Sequence, residues 1–149
     1  MPIDSRLSRM LHVLVHMDRH EGPMTSDTIS VMLGTNPVVV RRTMAGLKAA
    51  GYVASEKGHG GGWSLTTPLD RITLLDIHLA LGRPKIFAIG LSDDDPNCLI
   101  ERAVNAAMMA TLTDAERLLH AKLAEITVAS LAPDADQIKA YVAQRAGQT

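Results

Sequence analysis

Four groups of residues in this chain have the types and spacing to do chemistry. His12, His16 and His20 repeat at i, i+4 and i+8, and imidazoles one helical turn apart can share a metal ion. No cysteine or acidic motif accompanies them to complete a site, so a stripe flanking a core face is the simpler reading and no metal ligand is assigned. Asp114 and Glu116 lie together, but at a helix start, where negative charge is favourable for its own sake. Cys98 follows Asp93-Asp94-Asp95-Pro96-Asn97. A helix N-terminus there favours thiolate and the three acids oppose it, which makes Cys98 a candidate redox sensor beside the plainer reading of a half-buried structural thiol. The fourth group is Arg41 and Arg42 on a capped helix, followed by Lys57 and then His59 within a glycine-rich segment, Gly58 to Gly62. None of the four contains a nucleophile with a base, so no catalytic residue is assigned and a hydrolase or transferase is disfavoured.

The glycine-rich segment decides between two kinds of phosphate chemistry. A nucleotide-binding loop lies between a strand and a helix N-terminus. Here Tyr52–Lys57 reads as a strand before the glycines, Trp63 and Leu65 alternate after them, and no Gly-Lys-Ser/Thr follows. The segment is therefore the tip of a hairpin, poor in side chains and able to approach a polynucleotide backbone. Trp63 serves as its apolar anchor.

The elements that position these residues follow from periodicity. Leu7, Met10, Leu11, Leu14 and Met17 mark one face of a first helix, which Glu21-Gly22-Pro23 ends. Thr25 or Ser26 caps a short second helix carrying Ile29, Met32 and Leu33 and stopping at Gly34. Asn36 caps a third, with Pro37 in the first helical position, Val40, Met44 and Leu47 inward, and Gly51 at its end. At 100° per residue this turns Val38, Arg42 and Ala45 outward, with Val39 and Arg41 on the flanks. Small side chains admit close approach to a groove, and arginine can fork onto guanine. Two short helices, a glycine turn and a hairpin make a winged helix-turn-helix. Its expected DNA contacts are Asn36, Val38, Val39, Arg41, Arg42, Lys57, His59, Gly60 and Gly61.

Thr73 and Asp76 form a variant capping box for a short helix ending at Gly82. Residues 92–97 read as an acidic loop. A helix over Cys98–Thr111 and another opened by the Thr113–Glu116 box, reaching Ile126, follow. The expected fold is mainly α, divided into a winged helix at 1–67, a linker helix and loop at 68–96, and a C-terminal helical region at 97–149 for dimerisation and sensing.

Composition is consistent with this. The formal net charge of −1 averages eight Lys+Arg against six Asp+Glu in residues 1–72 and seven against ten in 73–149. Local charge rather than the total governs attraction to phosphate. With 46% hydrophobic but 3% aromatic residues, the core must be aliphatic and methionine-rich. One cysteine excludes an intrachain disulfide framework and fits a reducing cytoplasm. No apolar run approaches the ~20 residues that span a bilayer, and the first ten residues do not read as a signal peptide. Membrane partners are not expected.

The order from Asn36 to Pro68 resembles the Rrf-two family of bacterial transcriptional regulators, which includes the iron–sulfur cluster regulator, the nitrite-sensitive repressor and the cysteine-metabolism repressor. Leu47, Gly51, Tyr52, Val53, Ser55, Gly58, Gly61, Gly62, Trp63 and Leu65 occupy the family's pattern. Ile72-Thr73-Leu74 with Asp76-Ile77, and Leu123–Leu131, are similar to its later signatures. The resemblance implies a homodimer paired through the Cys98–Thr111 and Asp114–Ile126 helices, bound to a near-palindromic site on double-stranded DNA, usually as a repressor. Relatives that hold an iron–sulfur cluster use three closely spaced cysteines. With Cys98 alone, this chain is similar to the cluster-free branch, without a cofactor and with a redox or small-molecule effector as its signal. A winged helix that binds protein instead of DNA is the alternative, against which Arg41, Arg42 and Lys57 argue.

Overall fold

The computed structural model describes residues 3–58 and 61–148. Helix α1 (Arg6–Arg19) leads to α2 (Ser26–Leu33) and α3 (Pro37–Ala49), then to the antiparallel strands β1 (Val53–Glu56) and β2 (Gly62–Leu65). A 3-10 turn at Leu69–Arg71 precedes α4 (Leu74–Ala80), and α5 (Leu99–Ala124), a second 3-10 turn at Val128–Leu131 and α6 (Ala135–Ala146) complete the order.

One core organises the N-terminal part. Met10, Val13, Leu14 and Met17 of α1 meet Ile29, Val40, Met44 and Leu47, closed by Val53, Trp63, Ile72, Ile77 and Val128. The aliphatic composition is thus used as a tightly interdigitated set in which eight side chains have 0% exposure. Local signals fix the ends of the helices. Thr25 accepts from the Thr28 amide at 3.1 Å, and Gly34 caps α2 at φ 65°, a left-handed conformation that suits glycine. The Thr73–Asp76 box is complete: Thr73 N donates to Asp76 Oδ2 at 2.8 Å and Asp76 N to Thr73 Oγ1 at 3.1 Å.

The hairpin pairs Val53 with Leu65 and Ser55 with Trp63. A feature absent from the sequence reading reinforces it: Met24 pairs with Trp63, each amide donating to the other's carbonyl at 2.9 and 2.8 Å. Gly62, at φ 144°, allows this third pairing, because a Cβ there would stand 2.6 Å from the Met24 carbonyl oxygen.

The C-terminal region departs from expectation in two ways. The two expected helices are one: α5 runs 26 residues without a break. Nothing between Thr111 and Asp114 stops a helix; Thr111 returns its hydroxyl to the Ala107 carbonyl at 2.8 Å, and the Thr113–Glu116 box lies within the helix instead of opening one. After α5 the chain folds back along the winged helix. Leu74 N donates to Ile126 O at 3.0 Å, and Val128 N to Ile72 O at 2.8 Å. Helix α6, unforeseen in the sequence, is opened by a full box in which Asp134 Oδ1 accepts from Gln137 N at 2.8 Å and Gln137 Oε1 accepts from Asp134 N at 2.9 Å.

Helices α4 and α5 meet at two histidines. His78 is buried, and its ring centroid lies 5.5 Å from that of His120. Burial holds the His78 pKa below the ordinary histidine value; His120 and Arg83 push the same way, Glu116 and Asp4 against it. His120 Nε2 is itself buried without a hydrogen-bond partner, 3.8 Å from Glu116 Oε1.

Candidate nucleic-acid interface

Helix α3 is built from its cap outward. Asn36 Oδ1 accepts from the Val39 amide at 3.1 Å, and Pro37 starts the helix where no amide is needed. Val40, Met44 and Leu47 are 1%, 0% and 0% exposed. Their burial fixes the rotation of α3 and turns Val38, Val39, Arg41, Arg42 and Ala45 to the surface. Val38 is 56% exposed and Val39 38%. Among the described residues, neither guanidinium meets a carboxylate in an ion pair. Two forked donors beside small apolar side chains can contact guanine edges, phosphates and thymine methyls.

The wing is held against this helix by polar ties as well as the core. Trp63 is buried and donates from Nε1 to Ser26 Oγ at 2.9 Å, joining β2 to the start of α2. Lys48 Nζ donates to Ser55 Oγ at 2.9 Å, joining the last turn of α3 to β1. Arg41, Lys57, Ser26, Ser55, Glu56, Gly62 and Trp63 then line an open groove of about 270 Å³ between helix and wing. Arg41 and Lys57 therefore share one concavity, while Arg42 lies outside it. Val39 lies on the opposite flank, in a small crevice shared with Arg6, Arg9 and Thr43 of α1 and α3. Gly61 is required close to the tip, since a Cβ there would collide with the Glu56 carbonyl. The expected contacts His59 and Gly60 lie outside the described residues.

Sequence reasoning missed Lys48, Ser26 and Arg9 as neighbours of this surface. Lys48 was within reach: seven residues after Arg41, it falls on the same side of the helix two turns on. Ser26 and Arg9 come from other helices and needed the fold.

Cys98 stands apart. It is the N-cap residue of α5, half-buried, with its amide donating to Asp95 O at 3.0 Å and no cap bond from its side chain. The acidic loop folds onto the same turn, Asp95 N donating to Glu101 Oε2 at 2.7 Å. The histidine stripe divides. His20 Nδ1 lies 3.0 Å from the Gly22 carbonyl, whereas His12 and His16 face each other, Nε2 to Nε2, at 3.0 Å.

Residues 3–134 match the model of the Rrf2 family, described as an iron-dependent transcriptional regulator. YwnA of Bacillus subtilis, an HTH-type transcriptional regulator by assignment, is 31% identical over 123 residues, covering 82% of this chain and 90% of its own. Two solved structures share the fold. One, assigned as a transcriptional regulator of Lactobacillus plantarum, has a TM-score of 0.75 and 22% identity, over 99% of this chain and 100% of its own. The other, CymR, the global cysteine regulator of B. subtilis, has a TM-score of 0.59 and 24% identity, over 89% and 96%. Iron held as a sulfide cluster does not fit this donor set: the sequence has one thiol, and no three His, Cys, Asp or Glu converge among the described residues. Nor is any helix among them long and apolar enough to cross a membrane. From the winged-helix geometry and these matches, the chain belongs to the Rrf2 family of transcriptional regulators.

Proposed function

We propose that the protein is a homodimeric repressor that binds a near-palindromic promoter site. Each copy inserts α3 in a major groove, with Arg42 reading base edges and Arg41 and Lys57 holding the backbone through the wing groove. The observation that carries this reading is the capped helix whose two arginines make no ion pair among the described residues, beside a wing whose Lys57 shares one groove with Arg41. Dimerisation is supported by α5, in which no residue is fully buried and Ile100, Val104 and Leu118 are 76%, 55% and 64% exposed. Ile138, Tyr141 and Val142 of α6 are also uncovered. Apolar surface so distributed on these helices supports an interface there. Two-fold symmetry in the protein then implies two-fold symmetry in the site. The signal, oxidant or small molecule, would act in the C-terminal region, where Cys98 is the candidate sensor; its cellular setting would be the cytoplasm.

The decisive experiment titrates purified protein against the promoter of its own gene and against random duplex of equal length, over a range of salt. Binding as a dimer, preferring the promoter by about a thousandfold and weakening steeply with salt, is the expected result. Equal affinity for both duplexes would reject sequence-specific regulation. Absence of salt-dependent binding would leave a protein-binding winged helix.

A further inference from the structure

The His12–His16 couple serves none of the roles assigned above. Both side chains are exposed on one side of α1. Their ring centroids are 4.7 Å apart with planes inclined at 61°, and the two Nε2 atoms stand 3.0 Å from each other. They line an open groove of about 750 Å³ whose walls include Leu7, Leu11, Val15 and Leu131. Asp4, at the same groove, is taken by Arg6 at 2.8 Å. Two neutral rings tolerate this approach only if one Nε2 carries hydrogen and the other does not. The same arrangement offers a cation two converging lone pairs once the donor ring moves its proton from Nε2 to Nδ1 through solvent.

We propose that His12 and His16 form a two-imidazole chelate for a mononuclear divalent transition metal, nickel or copper first and zinc second. Metal–nitrogen bonds of about 2.0–2.1 Å, spanning the 3.0 Å between the nitrogens, subtend about 90–97° at the metal. That is close to the cis angle of square-planar or octahedral coordination, which nickel and copper adopt. A tetrahedral zinc angle requires the nitrogens about 3.4 Å apart, a shift of a few tenths of an ångström that exposed side chains can make. Magnesium and calcium select oxygen and do not compete. No third His, Cys, Asp or Glu joins the pair among the described residues, so water from the groove fills the remaining positions. A protonated ring gives up its proton to solvent when the metal binds. His20 is the natural control, because its Nδ1 is engaged by the Gly22 carbonyl.

The test is calorimetric titration of untagged, chelator-stripped full-length protein with nickel(II). One ion per chain is expected, with magnesium giving no binding. His12→Ala and His16→Ala should each weaken binding by roughly a hundredfold through loss of the chelate, and His20→Ala should leave it unchanged. Circular dichroism establishes that the variants are folded, and copper(II) paramagnetic resonance of the wild type should show two equivalent nitrogens. Full affinity in either His12→Ala or His16→Ala would overturn the proposal. So would binding lost only in His20→Ala, or no binding by the wild type, the result if a second copy covers the groove.

Discussion

Arg41 and Arg42 are neighbours in sequence with different surroundings. Arg41 lines the groove with Lys57, while Arg42 lies outside it on the exposed side of α3. Arg42→Ala should therefore cost on the order of 1–3 kcal/mol on the promoter site and much less on random duplex. Arg41→Ala and Lys57→Ala should weaken both by similar factors, each lowering the salt slope by about one. Fluorescence anisotropy at several salt concentrations separates the two patterns; an equal loss on both duplexes for Arg42→Ala would remove it from base reading. At this scale the sequence was informative wherever a helix supplies its own frame. Asn36, Pro37 and the Val40–Met44–Leu47 stripe set the rotation of α3, and the outward residues followed. It was uninformative about Ser26 and Arg9, whose places depend on how α1 and α2 pack against α3 and the wing.

Helix α3 also carries a residue whose importance only packing reveals. Gly46 sits in its interior, where a Cβ would stand 2.6 Å from the Ala80 carbonyl oxygen of α4. Helix propensity alone predicts that Gly46→Ala stabilises by up to about 1 kcal/mol. A collision with backbone that cannot rotate away should win, giving a net loss of about 1–3 kcal/mol in urea unfolding and a displaced recognition helix. A stabilised variant would show that α3 and α4 slide apart freely. The elements themselves were legible in proportion to their punctuation. Gly34, Gly51, Pro68 and the Thr73–Asp76 box marked the ends of the N-terminal elements. In α5 a capping motif was read as a helix start although nothing upstream broke the helix, and the Asp134–Gln137 box went unnoticed because no strong apolar stripe follows it. The Met24–Trp63 pairing is two residues wide, too short for any periodicity to announce.

For the whole molecule, the junction of α4 and α5 makes stability depend on pH. His78 has its pKa held below the ordinary histidine value, chiefly by burial, so the unfolded chain takes up the proton more readily. Its contribution is complete above about pH 6.5 and is lost as pH falls through the lower folded value. The melting temperature should thus drop more between pH 7.5 and 5.5 in the wild type than in His78→Gln, and equal drops would exclude this origin. Assembly is tested by Val104→Asp, which places a charge on the exposed face of α5. It should give monomers by light scattering and lose most promoter affinity while the winged helix stays folded. Cys98→Ser should keep basal affinity and differ from the wild type only after oxidant, since Cys98 lies at the far end of α5 from the segment that folds back on the winged helix; a large basal loss would make it structural. The unbroken course of α5 carries a consequence for how such a protein can diverge. At 1.5 Å per residue its 26 residues form a rod of about 39 Å. Inserting one residue after Asn105 would turn everything beyond it by about 100°, carrying Leu118 out of line with Ile100 and Val104. Inserting seven restores the angle to within about 20° and lengthens the rod by about 10.5 Å, the span of some three base pairs. The rod can thus be lengthened without rotating one exposed stripe against the other only by insertions that keep phase, of about seven, eleven or eighteen residues, so single-residue insertions are filtered out by phase before length is tried.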